Sequence, residues 1–263
     1  MKRLVLAPLL AAAVACGGGG KHVTVLHVDD VTTGPEVPTV PGAEELGFAA
    51  ADGVTITGSY WAPAQPTGAC VLFAHQLSST RAEYVPVVAR LVGQAHLYAI
   101  DLRGHGASTK GPDGAFTWKG FTDEDWQRLE VDLAGALDVL AGKGAGPRCV
   151  VVGASIGSSA VLRLAGAHPE RIAAVVLLSP GLAYRNLATP DAARATRAPV
   201  LIVHSQETGA VDAATALANI LRDGGVAVEV RADPGTAHGM KIVAGDPAIL
   251  DQVVAFVAGH LGG

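Results

Sequence analysis

Short apolar runs alternate with amphipathic stretches along most of the chain. The runs Ala69–His75, His96–Leu102, Cys149–Gly153, Ala173–Ser179, Pro199–His204 and Val226–Ala232 are rich in Val, Leu and Ile and carry little charge. Unbroken apolarity over so few residues predicts strands buried on both faces, and such strands are parallel, because helices must cover both sides. Between the runs the apolar spacing predicts helices near Ser79–Gly93, Asp123–Ala141, Ile156–Ala167, Asp212–Asp223 and Pro247–His260. The second has the clearest start: Thr122 can cap, Asp125 stands three residues on, and Asp123 and Glu124 suit the positive helix end. Its stripe of Trp126, Leu129, Leu133, Leu137 and Leu140 is the face of a helix packed on a sheet.

Ahead of this pattern, Glu45–Ala50 and Val54–Trp61 flank Asp52-Gly53, a hairpin signal. An antiparallel start followed by strand–helix alternation predicts one α/β domain over residues 44–263, with a mostly parallel central sheet and helices on both faces. The interval between Ala173–Ser179 and Pro199–His204 is too short for a separate lid domain.

The N-terminus has another character. Lys2 and Arg3 precede an uncharged run from Leu4 to Ala15, and Ala13-Val14-Ala15-Cys16 is followed by four glycines. This reads as a signal peptide over residues 1–15. As a helix the run would rise only about 18 Å, short of a bilayer core. The small residues before Cys16 resemble a bacterial lipobox, which implies lipidation of Cys16, export and a membrane-tethered product in the cell envelope. Ordinary cleavage giving a soluble exported chain is the alternative. Residues 16–43 read as a flexible tether. Its His22, His27, Asp29 and Asp30 match no metal-ligand spacing.

With 49% hydrophobic residues the 263-residue chain can bury a large core, so disorder is excluded for the whole. Lys and Arg total 19 against 24 Asp and Glu, with no block of like charge, so nucleic acid is not an expected partner. Three cysteines are too few for a disulfide scaffold and fit no zinc site, and no metal or cofactor is expected.

The strand Cys149–Gly153 runs into Gly153-Ala154-Ser155-Ile156-Gly157 and then a helix. Glycines on both sides permit a sharp strand-to-helix turn, so this Gly-x-Ser-x-Gly stands in the context that a nucleophile elbow requires. Here the chain resembles the α/β-hydrolase family, from about Glu44 to the C-terminus, as a lidless member similar to esterases and dienelactone hydrolases. Further segments carry the resemblance. Val71-Leu72-Phe73-Ala74-His75-Gln76-Leu77 is similar to the strand and turn of the family's His-Gly oxyanion motif, with Gln76 where glycine is usual. Ala99–Ser108 is similar to the following strand's signature, and Gly235-Thr236-Ala237-His238-Gly239 to the late histidine loop.

The resemblance implies Ser155 as nucleophile, His238 as base, and the backbone N–H groups of Ile156 and Leu77 as oxyanion donors. His105 and Asp101 are rivals for base and acid, but the Arg-Gly-His-Gly stretch is expected to shape a turn, with an internal Asp101–Arg103 contact. The acid is open. The family's usual Asp aligns with Thr208, and the alternative site after Ala173–Ser179 has no carboxylate. Glu207 is the first choice, Asp212 the second unless it is a helix N-cap, and Asp233 the third unless it shapes an Asp-Pro turn. A site without an acid also stays open.

The expected function is a serine hydrolase acting on a small acyl substrate through an acyl-Ser155 intermediate. A tethered, non-catalytic binding or scaffold protein is the rival, and amide hydrolysis would use the same residues. In the family's strand order Cys70 and Cys149 begin neighbouring strands. Export makes a disulfide between them an alternative to two buried thiols.

Overall fold

The computed structural model describes residues 25–27 and 40–262. The segment read as a signal peptide and Cys16 lie outside the described residues. Nine strands form the main path of one mixed sheet: β1 (Val25–His27), β2 (Glu44–Ala49), β3 (Thr55–Trp61), β4 (Cys70–Ala74), β5 (His96–Ile100), β6 (Cys149–Ala154), β7 (Ile172–Leu178), β8 (Val200–His204) and β9 (Val228–Ala232), in the order β1-β2-β3-β5-β4-β6-β7-β8-β9. The first three are antiparallel, and β3 also meets β5 antiparallel. From β5 to β9 every pairing is parallel. β1 falls inside the stretch read as a tether, and Val40 holds Trp61 Nε1 through its carbonyl at 3.0 Å.

The alternation of side chains along each strand separates two apolar layers. Leu72, Ala74 and Val151 face one layer, and Val71, Phe73, Val150 and Val152 face the other. The first layer is closed by α2 (Asp123–Gln127), α3 (Leu129–Gly142), α4 (Ile156–Ala167), α5 (Pro190–Ala195) and α6 (Ala210–Asp223). The second is closed by α1 (Val85–Leu91), α7 (Met240–Gly245) and α8 (Pro247–Gly259). The Thr122–Asp125 capping box forms, and all five residues of the predicted apolar stripe are buried.

Three boundaries depart from the sequence reading, and two short helices were not predicted. The helix expected over Ser79–Gly93 is a 3-10 turn, Arg81–Tyr84, leading into α1 with Pro86 in its first turn, where no N–H is needed. The helix expected over Asp123–Ala141 breaks at Arg128, whose N–H bonds back three residues to Asp125. α6 starts at Ala210 behind Gly209, whose φ of 79° sets the entry, so Asp212 sits exposed in the first turn and is not the N-cap. α5 and α7, each a short six-residue piece, were invisible to periodicity.

The expected Asp101–Arg103 contact does not form. Asp101 instead takes Arg81 Nη1 and the Arg81 and Ala107 N–H groups, each at 2.8 Å. Arg103 makes a two-pronged pair with buried Asp132 on α3, both contacts 2.6 Å, and reaches Asp52 in the β2–β3 hairpin at 2.8 Å. The two charges are drawn to different elements, which ties the Arg-Gly-His-Gly turn to the Arg81–Tyr84 turn on one side and to α3 on the other. At the opposite edge of the sheet, Cys70 and Cys149, the first residues of adjacent strands β4 and β6, form a disulfide.

Candidate active site

β6 delivers Ser155 into a left-handed backbone conformation, φ 52° and ψ −116°, immediately before α4. That conformation strains any residue with a Cβ. It is enforced by close packing on both sides. A Cβ on Gly153 would overlap the Gly157 carbonyl, and a Cβ on Gly157 would overlap the Ala74 and His75 carbonyls at the end of β4. Ser155 N–H donates to Leu178 O at 2.8 Å, and Ser158 Oγ donates to Ser155 O at 2.5 Å. The turn is therefore pinned to β7 and to its own helix. Ser155 Oγ has no hydrogen-bond partner among the described residues.

Contact with Gly157 brings the end of β4 against the start of α4, so the turn bearing Leu77 adjoins the one bearing Ile156. His75 is buried and fixes this turn. Leu102 N–H donates to His75 Nε2 at 2.9 Å, so the ring proton sits on Nδ1, which donates to Gln76 O at 2.7 Å. Acceptance at Nε2 requires the neutral ring, and burial pushes its pKa down to about 4. Gln76 N–H donates to a Glu83 carboxylate oxygen at 2.9 Å, and Ser79 N–H to Gln76 O at 3.2 Å. Burial pushes Glu83 up to about 7, against the pull of its bonds to Ser79 and Gln76.

The histidine loop follows β9. His238 Nδ1 meets Glu207 Oε2 at 2.5 Å, both side chains partly exposed. A carboxylate there holds the ring proton on Nδ1 and leaves Nε2 with its lone pair free to take a proton. Ser179 Oγ accepts from Gly239 N–H at 2.8 Å, and Gln76 Oε1 from Met240 N–H at 3.3 Å. A Cβ on Gly239 would stand 3.5 Å from Ala154 Cβ, so the loop packs beside the elbow. Tyr184 closes it from the β7–β8 connection, its ring edge-on to His238 at 6.3 Å. With Glu207, Thr208, Gly209, Ala210, Ala213 and Gly181, these two rings line a cleft of about 280 Å³.

Of the residues singled out from sequence, Glu207 and His238 are in direct contact, and Ser155, Ile156 and Leu77 occupy the adjoining turns. The other candidate acids are elsewhere. Asp212 is exposed on α6, and Asp233 accepts Gly235 N–H at 2.9 Å, shaping its own turn. His105 is buried, with Nδ1 on Arg103 O at 2.9 Å and its ring stacked on Trp118. Ser179, Glu83 and Tyr184 were not found by sequence reasoning. Each is an isolated polar residue in a loop or turn, with no motif to mark it.

A 2-(acetamidomethylene)succinate hydrolase of Mesorhizobium japonicum is 30% identical over 112 residues, 43% of this chain and 36% of that protein. The chain spans little more than a third of the curated relatives it matches. An esterase of Pyrococcus furiosus superposes with a TM-score of 0.68 at 17% identity, covering 84% of this chain and 92% of the esterase. An acetyl xylan esterase of Paenibacillus sp. R4 gives 0.68 at 17% identity, covering 92% and 90%. These likenesses establish the α/β-hydrolase fold. The profile of the Hydrolase_4 family, described as serine aminopeptidase S33, matches residues 65–240. The chain belongs to that family of α/β-hydrolases.

Proposed function

We propose that the protein is a serine hydrolase that cleaves an ester or similar acyl bond through an acyl-Ser155 intermediate. The observation that carries this reading is the Glu207 carboxylate on His238 Nδ1, beside a serine in an elbow conformation. His238 Nε2 takes the Ser155 proton as Oγ attacks the carbonyl carbon, and the Ile156 and Leu77 N–H groups receive the developing oxyanion. The same histidine returns the proton to the leaving alcohol. Water then attacks the acyl carbon and gives a proton to His238; the bond from that carbon to Ser155 Oγ breaks, His238 returns the proton to Oγ, and the free acid leaves. Glu207 holds the ring's tautomer and offsets the imidazolium charge, the role that Thr208 cannot fill. The ester names of the structural neighbours favour an acyl ester over an amide.

The same reading takes the chain to be exported and tethered through Cys16. The Cys70–Cys149 bridge supports export, because such bonds persist in oxidising compartments. Intact mass of the mature N-terminus tests it: a diacylglycerol adduct on Cys16 is expected, and an unmodified chain starting elsewhere refutes the anchor. For the chemistry, a fluorophosphonate probe is expected to label the wild type and not Ser155→Ala, with p-nitrophenyl acetate hydrolysis lost in parallel. Absence of labelling in a folded wild-type protein would favour the binding-protein alternative.

A further inference from the structure

Gln76 replaces the glycine usual at its position, and its side chain spans two parts of the site that lie far apart in sequence. Its backbone is held from three directions: N–H on Glu83, and carbonyl on His75 Nδ1–H and Ser79 N–H. Its side-chain Oε1 accepts from Met240 N–H at 3.3 Å, two residues beyond His238. A Cβ on Gly239 would overlap that same oxygen, so the Gln76 side chain packs directly against the loop. Ser179 holds the other side of the loop through Gly239 N–H. Gln76 thus belongs at once to the turn that presents Leu77 N–H and to the loop that presents His238.

We infer that Gln76 is a positioning residue that clasps the oxyanion turn to the histidine loop and sets the distance between proton acceptor and oxyanion donor. This rests on the serine-hydrolase reading above. A glycine at position 76 could supply the turn, but not the clasp. Hydrogen-bond donors at an oxyanion act through their fixed aim, so a loosened turn lowers the rate of the chemical step and leaves ground-state binding nearly unchanged.

The test uses Gln76→Met, which keeps the length and volume of the side chain and removes the acceptor. With p-nitrophenyl acetate, kcat is expected to fall about tenfold or more while KM stays within about twofold. The fluorophosphonate labelling rate should fall with kcat. In hydrogen exchange, the Met240 amide should lose protection, and Gln76→Glu, which restores an acceptor of the same reach, should recover it. A merely structural role would lower the melting temperature without this kcat-specific loss. A folded Gln76→Met protein with wild-type kcat and labelling rate overturns the inference while leaving the serine hydrolase intact. A wild-type protein that is neither labelled nor active overturns both. If Gln76→Met fails to fold, Gln76→Asn, one methylene too short to reach Met240, takes its place with the same expected readings, and wild-type behaviour there is equally fatal.

Discussion

Replacing both Cys70 and Cys149 by alanine removes a covalent link between β4, which leads to the Gln76–Leu77 turn, and β6, which leads to Ser155. The bridge closes a loop of 79 residues in sequence. In the chain-entropy treatment, opening a loop of that length returns to the unfolded chain about 15 cal/mol/K, or about 4.5 kcal/mol at 25 °C. The folded state should change little, because β4 and β6 stay joined by their own ladder from Val71 opposite Val150 to Ala74 opposite Gly153. For a domain of this size each kcal/mol moves the midpoint by about 2–4 °C, so the double variant should melt roughly 9–18 °C lower. Thermal unfolding followed by circular dichroism measures this, and a mass shift on alkylation after denaturation with and without reductant reports the bridge. The melting temperature of the wild type in reductant should approach that of the variant once the buried sulfurs are reached by unfolding. Equal melting temperatures for the oxidised wild type and the double alanine variant would show that the bridge adds nothing to stability. Two alkylatable thiols in protein purified without reductant would refute the bridge itself.

Three further outcomes are expected. Glu207→Gln should cut kcat by several orders of magnitude with folding intact, since replacing the acid of a serine-protease triad costs about 10⁴ in kcat, and Asp212→Asn should leave kcat near wild type; the reverse pattern would move the acid to α6. Glu83, whose carboxyl is pushed up to about 7 from 4.5, binds its proton more tightly folded than unfolded. Its contribution to stability is therefore greatest below about pH 4.5 and is lost as pH rises through about 7, by up to about 3 kcal/mol; Glu83→Gln should raise the melting temperature more at pH 8 than at pH 5, and a pH-independent difference would contradict the burial argument. Gly157→Ala should cost about 3 kcal/mol or prevent folding, since its methyl would meet backbone that cannot move aside; an unchanged denaturation midpoint would show that the elbow is loosely packed.

The sheet was legible because a strand buried on both faces writes a run of apolar residues whatever its neighbours. The α4 start was legible because Gly153 and Gly157 are required by backbone contact. What periodicity missed is short or set by tertiary contacts: α5 and α7 have too few turns to show a stripe, and the break at Arg128 lies inside an unbroken apolar pattern. Asp101 and Arg103 stand two apart and invite a local pair, yet Arg81 and Asp132 reach them from distant parts of the chain. Glu207 is the acid nearest to Thr208, where the family resemblance puts Asp, and its longer side chain spans the one-residue displacement to reach His238. The Gln76–Met240 bond joins residues 164 positions apart and had no sequence signature.

The left-handed Ser155 has a consequence for attempts to improve the protein. A residue with a Cβ held at φ 52° costs on the order of 1–3 kcal/mol relative to glycine, which adopts that conformation freely. Selection for thermal endurance alone would therefore favour Ser155→Gly and erase, in the same step, the hydroxyl proposed to react. Any evolution experiment on this scaffold must couple its screen to turnover, because the most strained position in the elbow is also the one that cannot be relaxed without ending the chemistry.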